Sequence, residues 1–225
     1  MKAQLNVPTG LDEITLRQYQ EFIKAQELNN DELFLQQKTI EIFCNVPEAK
    51  VKSIAANSVV EITNKINLLF EDRPEFKRFF YLNKVEFGFI PDLDEMSFGE
   101  YIDVDTYLSD WKSIHLAINV LYRPIVRKNA GRYEIEPYDT QTQDRALDMP
   151  MNAVLSAIFF LFNLKKDLLM TTLSCLTAEV ETQQVQLPHL VKSGGGIIPC
   201  MDLVKETLNE LTMSLKWKCT NVWWC

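Results

Sequence analysis

The chain has 225 residues, 47% of them apolar, and a formal net charge of −8. Length and apolar content suffice for a buried core without staples, which excludes a chain that is disordered throughout. The acidic balance excludes a general nucleic-acid binder, because neutralising phosphates needs clustered Lys and Arg.

The first block is helical. Asp12 and Thr15 are candidate N-caps, and Leu16, Tyr19 and Ile23 then recur at steps of three and four. Asn29, Asn30 and Asp31 break that pattern, and a second helix is predicted from about Glu32 to Cys44. A turn at Pro47 opens a short third helix. Val59, Ile62, Ile66 and Leu69 mark a fourth over 57–70, and Pro74 ends the block. Residues 12–80 read as a helical bundle.

The middle differs. Tyr81 to Pro91 alternates in part and carries Val, Phe and Ile, which suits a strand or hairpin. Residues 92–108 read as irregular, with Gly99 and several carboxylates. Ser109 to Tyr122 is predicted helical, with Trp111, Ile114, Ile118 and Leu121 on one face and Pro124 as its stop. IVRKNAGRYEIEPY then reads as two short strands around a three-residue turn, Asn129-Ala130-Gly131.

Residues 150–184 hold no Gly and no internal Pro, and predict one long helix, apolar at first and polar at its end. Its most apolar run, Ala153 to Leu164, is about 12 residues, short of the roughly 20 that cross a membrane. Gly194, Gly195 and Gly196 form a predicted hinge. Beyond it, Met201, Val204, Leu208, Leu211 and Leu215 repeat at helical spacing, and Trp217, Trp223 and Trp224 crowd the last nine residues. Two readings stay open for this helix and tail: they cover the chain's own core, or they dock on a neighbour through aromatic anchors, the reading that the hinge favours.

Chemistry is sparse. His115 and His189 are the two histidines; His115 falls on or beside the apolar face of its helix and reads as a packed core residue. The chain has no nucleophile elbow, Walker loop or dinucleotide fingerprint, and the SGGG segment lacks the G-K-[ST] ending of a phosphate loop. Cys44, Cys175, Cys200, Cys219 and Cys225 are odd in number and make no C-x-x-C pair. With no signal-peptide core in MKAQLNVPTG, the expectation is free thiols in a reducing cytoplasm.

Charge is the stronger signal. Glu86, Asp92, Asp94, Glu95, Glu100, Asp103, Asp105 and Asp110 follow one another with no Lys or Arg between them. The EF-hand pattern fails there, with Met96 and Ser97 where the turn would fall. A solvated or subunit-facing acidic surface is expected rather than a metal site, and a glycosidase-type carboxylate pair is not decided by spacing in sequence. Lys112, Arg123, Arg127, Lys128 and Arg132 follow, uninterrupted by any acid. Two arrangements stay open: head-to-tail assembly of copies, acidic face to basic face, or pairing within one subunit. DNA contact by the basic hairpin is a third.

Several segments together carry a resemblance: ITLRQYQEF, QQKTIEIFCNVP, VEFGFIPDLDEMSFGEYIDVDTYLSDW, HLAINVLYRPI and GRYEIEPYD. Over about residues 12–165, and most strongly over 85–126, they resemble small virion or tail-assembly proteins of tailed bacteriophages, including the crAss-like phages. The resemblance is to a whole pattern, does not extend to the C-terminal helix and tail, and brings no catalytic residues. It implies a viral component made in a bacterial host cytoplasm that binds other phage proteins.

The expectation is therefore a mainly α chain: a helical bundle over 1–80, a mixed segment with a small β-hairpin insertion over 81–149, a long apolar helix over 150–192, and a hinged C-terminal helix over 193–225. Its expected role is that of a non-enzymatic structural or packaged cargo protein of the virion, in the portal–tail region. The alternative is a tail-assembly chaperone that shields a tape-measure protein and is absent from the mature virion. No cofactor, metal or catalytic residue is expected, nor stable membrane insertion. The expected partners are portal, tail or tape-measure proteins and further copies of the chain. The candidate contact residues are Asp92, Asp94, Glu100, Asp103, Asp105, Arg123, Arg127, Lys128, Arg132 and the C-terminal set from Met201 to Trp224 named above.

Overall fold

The computed structural model describes residues 5–184 apart from 72 and 130, and of 140–143 and 173–184 the backbone alone. The expected glycine hinge, the helix from Met201 to Leu215, Trp217, Trp223, Trp224 and His189 lie outside the described residues. The chain divides after Phe160 into two units.

The fold is mainly α with a small antiparallel sheet. Four helices open it: α1 (Leu16–Leu28), α2 (Glu32–Phe43), α3 (Glu48–Val51) and α4 (Ala56–Glu71). Thr15 starts α1 through a capping box: its hydroxyl accepts from Gln18 N–H, and the Gln18 side chain accepts from Thr15 N–H at 2.9 Å. Asp31 caps α2 by accepting from Phe34 N–H. The apolar stripes of these helices supply the fully buried Leu16, Phe22, Ile40 and Ile66, and Ile14 just before α1 joins them. Each such side chain stabilises the fold by about 1.5–3 kcal/mol relative to leaving it exposed.

The sheet holds β1 (Phe79–Leu82), β2 (Val85–Phe89), β3 (Tyr122–Asn129) and β4 (Arg132–Ile135) in sequential order. Asn83 and Lys84 join β1 to β2 with φ of 50° and 68°. Positive φ at both central residues is the requirement of a type I′ hairpin turn. Between β3 and β4 the link is shorter than the expected three residues, because Asn129 pairs with Arg132, leaving Gly131 at φ 87° as one of two linking residues. So the expected hairpin insertion is two hairpins joined through the β2–β3 pairing.

Two further helices lie between β2 and β3: α5 (Phe98–Tyr107) and α6 (Ile114–Leu121). The expected helix over 109–122 is shortened at both ends. Asp110 holds residues 110–113 in a turn, its side chain accepting from Lys112 N–H and Ser113 Oγ. Tyr122 already belongs to β3, so Pro124 falls inside a strand, where its carbonyl accepts from Glu136 N–H. A 3₁₀ segment, Thr140–Asp148, leads to α7 (Met151–Gln184), a single helix as expected.

Within the first unit the N-terminal helices and the middle segment share one core. Gln20, buried on α1, donates through Nε2 to the carbonyl of Trp111 at 2.8 Å, and the same nitrogen lies 3.1 Å from His115 Nδ1. Tyr19 meets Trp111 edge to face. The start of α7 is tied to the segment before α1: Met151 N–H donates to Ile14 and Asn152 N–H to Leu11.

Candidate functional site

Glu100 and Arg123 form the buried polar link of the middle segment. Ser97 caps α5 by accepting from Glu100 N–H, and Glu100 closes the box by accepting from Ser97 N–H at 2.8 Å. Its other carboxylate oxygen meets Arg123 of β3 at 2.7 Å, with the two side chains 9% and 11% exposed. Burial raises the Glu100 pKa, but the Ser97 hydrogen bonds and the Arg123 charge outweigh it and the net direction is down. The pair pins the inner face of α5 to β3, while Arg123 Nε stays buried without a partner among the described residues.

The acidic and basic stretches therefore pair in part within one chain. Lys128 meets Glu86 and overlies the Phe79 ring. Asp103 accepts from Tyr138 Oη at 2.6 Å. Exposed carboxylates gather on and before α5, and exposed arginines on the β3–β4 hairpin, where Glu134 is also exposed opposite Arg127. Asp92, Asp94, Glu95 and Asp105 are exposed on and before α5, with Asp92 accepting from Asp94 N–H at 2.9 Å. Arg127 and Arg132 are exposed on the β3–β4 hairpin, with no ion-pair partner among the described residues.

The outward face of α5 was hidden when 92–108 read as irregular. Phe98, Tyr101 and Ile102 are 79%, 58% and 44% exposed, and Asp105 continues the same stripe. Their spacing of three, four and seven places them on one side of the helix, opposite the buried Glu100 and Val104. Scattered exposed apolar residues are ordinary, but these three share one face of one helix. Gly99 lies in this helix, and a Cβ built there meets nothing within 4 Å. Ser97 with Glu100 three residues on was the available signal for the helix.

Other features offer less. A cleft of about 270 Å³ lined by Asn119, Arg123, Glu136, Tyr138 and Arg145 falls below the roughly 300–1,000 Å³ of small-molecule sites. Arg145 already meets Glu136 there at 2.9 Å. Burial lowers the His115 pKa and pushes the Cys44 thiol up to about 11. Among the described residues no group of three or more His, Cys, Asp or Glu is placed to hold a metal ion, and no helix is long and apolar enough to cross a membrane.

Comparison with family models, with curated proteins and with solved structures gives no match.

Proposed function

We propose that this chain is a non-enzymatic structural or packaged protein of a tailed phage, made in the host cytoplasm and working through contacts with portal, tail or tape-measure proteins. The observation that carries the contact role is the outward stripe Phe98, Tyr101 and Ile102 on a helix whose inner face is fixed by Glu100. Leaving two aromatic rings in water forgoes the stabilisation that burial gives, and protein interfaces recover it. The phage setting rests on the whole-pattern resemblance over 12–165. The proposal keeps a bundle over 1–80 and a C-terminal helix beyond the 194–196 hinge as a further contact element.

Mass spectrometry of purified particles tests the setting. Recovery of the chain in fixed ratio to portal or tail subunits is the expected result. Absence from particles despite strong expression during infection would replace it with the assembly-chaperone role.

A further inference from the structure

We propose that the α5 face receives the β3–β4 hairpin of a second copy, so that copies join head to tail. The inference rests on reading α5 as a protein-docking face and names its occupant.

Charge complementarity selects the occupant. A partner for α5 must cover Phe98, Tyr101 and Ile102 while offering cations to Asp94 and Glu95. The hairpin has that composition. Register passes from Ile125↔Ile135 to Arg127↔Glu134, so Val126 is the extra residue of a β-bulge, and it is 59% exposed between strands that carry Arg127 and Arg132. The hairpin thus carries an outward apolar side chain, Val126, with Arg127 beside it opposite Glu134 and Arg132 nearer the turn opposite Asn129, so that exposed cations outnumber exposed carboxylates on these strands. An apolar stripe preceded by the carboxylates Asp94 and Glu95 faces outward on another element, α5.

Two alternatives fail on geometry and charge. The hairpin cannot serve its own α5, because Arg123 at the base of β3 holds the inner face of that helix. Asn129 is six residues further on, about 20 Å along an extended strand. A two-fold contact of α5 with α5 would bring two acidic segments together with no cation between them, and like-charge juxtaposition costs several kcal/mol. The contact is therefore heterologous, with a different surface on each partner, and it can propagate to a ring or filament. Gly99 suits it: with no side chain on an open helix surface, it lets a partner backbone approach closely.

Sedimentation velocity on the full chain tests this with two variants. Phe98→Asp/Tyr101→Asp disables α5, and Arg127→Glu/Arg132→Glu disables the hairpin; circular dichroism melts check that each stays folded. Wild type is expected to sediment as species larger than a monomer, and each variant alone as a monomer. An equimolar mixture is expected to give a dimer and nothing larger, because one intact α5 face meets one intact hairpin. A wild type that stays monomeric at all concentrations overturns the inference, as does a folded variant that still assembles alone or a mixture that stays monomeric. In each case, protection of Phe98 and Tyr101 inside particles would leave the docking reading intact with another occupant.

Discussion

The Glu100 carboxylate meets the Arg123 guanidinium at 2.7 Å while its second oxygen accepts from Ser97 N–H at the start of α5. One side chain thereby begins a helix and fastens it to the sheet. Removing one partner of a buried pair leaves an uncompensated charge, so Glu100→Ala should cost about 3–5 kcal/mol. Replacing both, with Glu100→Gln and Arg123→Met, should recover much of that loss. Urea unfolding of the two variants against wild type measures the difference.

The same pair sets a pH dependence. The folded-state pKa of Glu100 lies below its ordinary 4.5. Its contribution to stability is therefore fully present above 4.5 and is lost as pH falls through the lowered folded value. The melting temperature of wild type should drop below pH 4.5 more steeply than that of the Glu100→Gln/Arg123→Met variant. Parallel profiles would remove Glu100 from the account.

Two glycines should respond in opposite directions to alanine. At Gly88 a Cβ would lie 2.7 Å from Tyr133 Cε2 and 3.0 Å from Ile125 Cγ1, so Gly88→Ala should destabilise by about 1–3 kcal/mol through overpacking. At Gly99 a Cβ meets nothing, and Gly99→Ala should stabilise the isolated chain by about 0.5–1 kcal/mol. Thermal melts of the two variants at low protein concentration check the signs.

Cys44 should be inert in the folded protein. Burial raises its pKa to about 11, so the thiolate is scarce at neutral pH. Alkylation followed by peptide mapping should leave Cys44 unmodified in native buffer and modify it in denaturant.

Helices with a clean apolar period were legible in sequence. Thr15 marked the start of α1, and the repeat Val59, Ile62, Ile66 and Leu69 marked α4. The α5 helix was not, because its apolar residues face out and its inward positions include a carboxylate, Glu100. Hydrophobic periodicity reports burial, so a helix that keeps its aromatic stripe outside gives a misleading pattern. The pairing of Glu100 with Arg123 joins residues 23 apart and depends on α6 returning the chain to the sheet. The acidic and basic stretches were visible as charge, but which charges pair within the chain was fixed by tertiary packing.

The central claim is that a protein partner covers the outer face of α5. Hydroxyl-radical footprinting of the chain in assembled particles and as the isolated protein tests it most directly. Oxidation of Phe98 and Tyr101 should fall sharply on assembly while that of Leu28, exposed at the end of α1, stays constant. Equal oxidation of Phe98 and Tyr101 in both states would contradict it.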